Sequence, residues 1–116
     1  MIFRYVRYWG LFYSGTTVIG VGYSGQAGCT NEPSYEQDHN IGPLPEGRYT
    51  ITSTDDEKGP LTYHLTPDPT NTMFGRSGFL IHGDNPAANH TASDGCIASP
   101  MWTRVIFKVG DVIIVV

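Results

Sequence analysis

His82 and Cys96 are separated by thirteen residues, and the segments around them read Gly75-Arg76-Ser77-Gly78-Phe79-Leu80-Ile81-His82-Gly83-Asp84 and Ser93-Asp94-Gly95-Cys96-Ile97. A thiol attacks a carbonyl as its thiolate, so a nucleophilic cysteine needs a nearby base and backbone N–H groups aimed at the developing oxyanion. Gly95 permits the tight turn that could direct the N–H groups of Gly95 and Cys96 to one point above the sulfur. His82 is the candidate base. It closes the apolar run Phe79-Leu80-Ile81, which reads as a buried strand end able to hold the imidazole rigidly. The alternative for Cys96 is a small buried hydrophobe, and for His82 a histidine satisfied at a strand end. Ser93 could hydrogen-bond the imidazole or the substrate, or simply serve turn chemistry before Asp94-Gly95. Asp84 could orient His82 or meet an amine of the substrate, or again be a turn residue.

The elements that must position these groups are strands. Fourteen glycines, eight prolines and only 16% charged residues, together with many Tyr and Thr, favour short strands joined by tight turns. The spacing predicts strands over Phe3–Trp9 and Thr16–Tyr23 around a turn at Tyr13-Ser14-Gly15, a hairpin of Arg48–Ser53 with Leu61–Thr66, the strand ending at His82, and a last strand at Val112–Val116 buried on both faces. Ser24–Glu46 has no apolar period and reads as a long loop of the kind that carries function. Ser99 as N-cap, Pro100 in the first turn, and Trp102, Val105, Ile106 and Val109 at helical spacing predict one amphipathic helix whose stripe enters the core. At 116 residues the chain is expected to be a single domain, 1–116.

A formal net charge of −4 with no basic run excludes the footprint of a phosphate-backbone binder, so nucleic acid is not an expected partner. The apolar opening Met1–Trp9 carries two arginines, is too short to span a bilayer and lacks a cleavage site, so neither a membrane span nor a Sec signal is expected. Cys29 lies in a glycine-rich loop and reads as an incidental thiol; whether it pairs in a disulfide stays open.

Four separated blocks carry a resemblance: Gly22-Tyr23-Ser24-Gly25, Gly42-Pro43-Leu44-Pro45-Glu46-Gly47-x-Tyr49-x-Ile51, Gly75 to Asp84, and Ser93-x-Gly95-Cys96-Ile97. The last two resemble the signature of L,D-transpeptidases of the YkuD-like class. All four in order are similar to the small L,D-transpeptidase-like effectors of bacterial type VI secretion. The resemblance implies a mainly β fold, a compact L,D-transpeptidase-like β-sandwich or sheet with one short helix after the catalytic cysteine. It implies cysteine-dependent acyl transfer on peptidoglycan tetrapeptide stems, at the L,D bond between diaminopimelate and terminal D-alanine, resolved by water or by a D-amino acid. No cofactor or metal is implied. The catalytic set is then Cys96, His82, Ser93 and Gly95, and the substrate-binding set Arg76, Tyr23, Asp84 and Gly83. An antibacterial toxin of this kind would work as a monomer in the periplasm of a target bacterium, with secretion machinery and a cognate immunity protein as partners. A phage or prophage origin is the other route.

The larger enzymes carry an arginine two residues after the cysteine, where this chain has Ala98. Arg76 is the expected replacement for binding the substrate carboxylate, because a guanidinium fork suits a carboxylate. Two other functions stand beside acyl transfer. One is a zinc hydrolase using His82, Asp84, His90 and Cys96, although their spacing matches no closed-site pattern. The other is a non-enzymatic β module that binds cell-wall glycopeptide through aromatic residues.

Overall fold

The computed structural model describes residues 1–84 and 95–116. Among the described residues nine strands form one mixed sheet: β1 (Ile2–Val6), β2 (Leu11–Ser14), β3 (Thr17–Val21), β4 (Tyr23–Ser24), β5 (Gly47–Asp55), β6 (Thr62–Pro67), β7 (Phe79–His82), β8 (Ile97–Ala98) and β9 (Val112–Val115). Their spatial order is β3-β2-β1-β9-β5-β6-β7-β8-β4. The fold is mainly β, as expected, with one short helix, α1 (Met101–Arg104), following the cysteine.

Period-two alternation decides which side chains enter the core. In β1, Phe3 and Tyr5 are buried while Ile2 and Arg4 face out; in β5, Tyr49 and Ile51 do the same. The continuous β-branched run of β9 lies in the interior of the sheet, parallel to β1 and antiparallel to β5. Strands covered on both faces need no polar alternate, which explains that run. The sheet nearly closes on itself where its β3 edge meets the chain after β8: the Val21 N–H donates to Thr103 Oγ1 at 3.1 Å, and Ser99 Oγ donates to the Val21 carbonyl.

The helix departs from the expected one. It spans four residues, Pro100 rather than Ser99 is the N-cap, and no side chain caps it. Ser99 is instead drawn to the β3 edge. Trp102, Val105 and Val109 are exposed, and of the expected stripe only Ile106 packs against the core. Phe107 takes the buried place. Its ring meets those of Phe3 at 5.2 Å, Phe12 at 5.0 Å and Tyr63 at 6.0 Å, in edge-on or tilted contacts. The Tyr63 hydroxyl shares its proton between the carbonyls of Arg104 and Phe107, 2.7 and 2.8 Å away, and so satisfies the end of a helix that stops after one turn. The first predicted strand pair is a three-stranded meander, because Gly10 turns the chain at positive φ and lets Leu11–Ser14 pair on its own.

The long segment between β4 and β5 contains only a 3₁₀ turn at Pro33–Tyr35. Two buried arginines fix it in place. Arg7 forms an ion pair with Glu36 at 2.8 Å, and Arg76 donates to the carbonyls of Glu36 at 2.5 Å, Pro43 at 2.7 Å and Gly42 at 2.9 Å. Loop backbone with no ladder to satisfy it is thus satisfied by side-chain donors.

Candidate functional site

Three adjacent strands, β4, β8 and β7, assemble the site by register. Tyr23 pairs with Ala98, and Ala98 pairs with His82, so these three residues form one row across one face of the sheet. On the opposite face the neighbouring row, Ser24, Ile97 and Ile81, is fully buried in the core. Asp84 lies just beyond β7, and its carboxylate accepts the Tyr23 hydroxyl proton at 2.5 Å. Tyr23, His82 and Asp84, chosen separately in the sequence, are therefore neighbours in space. The small Ala98 side chain sits between Tyr23 and His82, at the position where the larger L,D-transpeptidases carry arginine.

Cys96 immediately precedes β8. Its sulfur accepts the Leu80 N–H at 3.3 Å, and the Gly78 carbonyl stands 3.8 Å away as acceptor for the thiol proton. Leu80 is two residues before His82 on β7, a rise of about 7 Å along the strand. An N–H pointed at sulfur favours the thiolate. Arg76 lies close by, since Cys96 acts electrostatically on its guanidinium. The turn itself depends on glycine. Gly95 has φ +125°, and a Cβ there would stand 2.3 Å from Arg76 Nη2. The Gly95 carbonyl is turned inward and accepts the Ser24 hydroxyl at 3.0 Å, while the Leu44 N–H donates to that same hydroxyl at 3.0 Å. Ser24 thus joins the Gly95–Cys96 turn to the loop before β5, a role not read from the sequence although Ser24 stands within a conspicuous Gly-Tyr-Ser-Gly block.

His82 is buried, and its Nδ1 lies 2.7 Å from the Gly83 carbonyl. A carbonyl only accepts, so Nδ1 carries the proton and the lone pair of the neutral ring is on Nε2. Burial is the main influence on this imidazole and lowers its pKa from the ordinary 6.5; Gly83 and Asp84 oppose that, while Lys58 and Arg104 add to it. Both effects leave a neutral ring with a free basic nitrogen near pH 7. Because the unfolded chain binds this proton more readily, the contribution of His82 to stability is complete above about pH 6.5 and declines as pH falls toward the depressed folded value. Thermal unfolding measured downward from pH 7 is expected to show that loss, flattened in His82→Gln. The acidic limb of kcat/KM should likewise lie below the free imidazole value.

The sulfur opens into a cleft of about 370 Å³ lined by His39, Glu57, Lys58, Arg76 and the Gly78–Leu80 segment beside Gly95 and Cys96. His82 is not among the residues lining it. Arg76 lines the cleft too, but three of its N–H groups are committed to the carbonyls of Glu36, Gly42 and Pro43, which gives it a structural duty besides the expected one toward a substrate carboxylate. Ser93 and His90 lie outside the described residues. Among the described residues no three His, Cys, Asp or Glu side chains converge as metal ligands, no helix is long and apolar enough to cross a membrane, and Cys29 and Cys96 are not joined to each other.

The family model of the Tlde1 domain matches residues 20–102, from the end of β3 into the first residues of α1. The chain belongs to the Tlde1 domain family. This is a family of bacterial type VI secretion effectors with antibacterial activity. The matched span contains every strand that builds the site, β4 to β8, together with the loop that the two arginines fasten. Strands β1, β2 and β9 fall outside it, so the Tlde1 domain match covers the half of the sheet from β5 to β4 that carries the site. No curated protein and no solved structure matches the chain.

Proposed function

We propose that this Tlde1 domain is a cysteine acyltransferase that acts on peptidoglycan stem tetrapeptides at the L,D bond between diaminopimelate and terminal D-alanine. The observation that carries the reading is the placement of Cys96, just before β8, beside the adjoining strand β7 that ends in His82, with the sulfur held by the Leu80 N–H and the imidazole fixed with Nε2 as its basic nitrogen. In this reading the thiol proton passes to His82 Nε2 as sulfur bonds to the diaminopimelate carbonyl carbon. The oxyanion is met by backbone N–H groups of the Gly95–Cys96 turn. Collapse breaks the C–N bond, His82 returns the proton to the departing D-alanine amine, and a thioester remains. Water then yields the tripeptide, whereas the amine of a D-amino acid yields an exchanged tetrapeptide. Either outcome removes donor stems from crosslinking, which accounts for toxicity to a bacterium that receives the protein in its periplasm. A producing cell then needs an immunity protein that covers the cleft.

Mass spectrometry of tetrapeptide muropeptides incubated with the protein, with and without D-methionine, tests the reaction. Loss of D-alanine, or its replacement by D-methionine, is expected, and it should survive a chelator but not thiol alkylation. Unchanged muropeptides with folded protein would transfer the weight to a binding module; chelator-sensitive cleavage would transfer it to a metal hydrolase.

A further inference from the structure

A tetrapeptide presents a carboxylate about 4 Å beyond the attacked carbon, across the C–N, N–Cα and Cα–C bonds of D-alanine. An enzyme that distinguishes this short end from a longer peptide needs a cation on the leaving-group side of the sulfur. Ala98 cannot supply it, and three of the Arg76 N–H groups hold loop carbonyls.

Lys58 supplies a cation at the same cleft. It stands in the turn between β5 and β6, where its own N–H donates to Thr62 Oγ1 at 3.2 Å and Thr62 is fully buried. The backbone is therefore fixed while the side chain is exposed. That side chain lines the cleft into which Cys96 opens, and it forms no ion pair among the described residues. Glu57 precedes it and lines the same cleft. A substrate carboxylate entering beside Glu57 would be repelled unless a cation stood with it. The charge of Lys58 is also felt at His82, so it lies near the base as well as the nucleophile.

We propose that Lys58 reads the terminal carboxylate of the stem peptide, so that the hairpin turn rather than the strand after the cysteine sets the preference for a free tetrapeptide end. This assignment rests on the acyl-transfer reading above. A flexible ammonium is a point charge able to follow a carboxylate as the amine departs, where a guanidinium fork would fix one geometry.

The test compares kcat/KM for a synthetic stem tetrapeptide with that for its C-terminal amide. The acid-over-amide preference is expected to fall about tenfold or more in Lys58→Ala, mainly through KM, consistent with loss of one charge-assisted contact. It should be largely retained in Lys58→Arg and should rise in Glu57→Gln. A Lys58→Ala preference equal to that of wild type would overturn the assignment. If wild type cleaves neither peptide, the acyl-transfer reading is what has failed. Calorimetric binding of the acid and the amide to Cys96→Ala, with and without Lys58→Ala, then decides separately: selective weakening for the acid sustains Lys58, and equal affinities overturn it.

Discussion

Cys96→Ala is expected to reduce tetrapeptide trimming by about 10⁴-fold or more, since a covalent route loses its only nucleophile and what remains is binding and electrostatic assistance to water. The fold should be almost unaffected. Cys96 is only partly buried, and the Leu80 N–H at 3.3 Å and the Gly78 carbonyl at 3.8 Å are weak partners for its sulfur. The unfolding midpoint is expected to shift by no more than a few degrees. Purified protein compared by circular dichroism and by muropeptide turnover separates the two effects. Trimming that persists in folded Cys96→Ala would exclude the thiol as nucleophile.

The second large effect is on stability. Arg76→Met keeps an unbranched apolar side chain but removes the guanidinium, whose carbon lies 5.1 Å from the centroid of the Phe79 ring, and with it the donors to three loop carbonyls. Two of those contacts are buried, and an acceptor left dry costs about 1–3 kcal/mol. A total loss of roughly 3–5 kcal/mol is expected, equivalent to a fall of about 15 °C in Tm for a domain of this size. Activity should fall further than stability explains when assayed below the new midpoint, because the Gly95 turn rests against the same guanidinium. Arg76→Lys should recover only part of either loss, since one ammonium cannot reach three carbonyls in a fixed fork. Calorimetric melting of the three proteins checks this; an Arg76→Met midpoint within 3 °C of wild type would show that the loop is held by other means.

Some of this architecture was legible in the chain because it is written in alternation. Arg48–Ser53, Leu61–Thr66, Phe79–His82 and Val112–Val116 declare themselves by period or by β-branching, and each is a strand within a residue or two of the expected bounds. Tyr23, His82 and Asp84 were singled out individually, and the sheet register brings them together. The rest depended on partners far along the chain. Trp102, Val105 and Val109 have helical spacing, yet the helix stops after Arg104 because Tyr63 satisfies its carbonyls and Phe107 turns into the aromatic core. Ser99 has the chemistry of a cap, but the β3 edge claims its hydroxyl. Arg76 looks like a substrate fork in sequence because nothing local reveals the three carbonyls that approach it from residues 36–43. Short elements and buried polar side chains take their roles from tertiary neighbours, which spacing does not encode.

The position of β9 has a kinetic consequence. It is the strand that joins β1 to β5, pairing Ile2 with Val112 and Gly47 with Val115, so the β1–β3 meander and the sheet that carries the site share no ladder until the last strand is inserted. Closing a contact over 110 residues before it is rewarded places this chain among high-contact-order folders, with refolding expected on the millisecond-to-second scale. Until that insertion occurs, the β5–β6 hairpin and the aromatic face of β1 are left uncovered, and this is the interval in which a newly released chain is most exposed to proteases and to self-association.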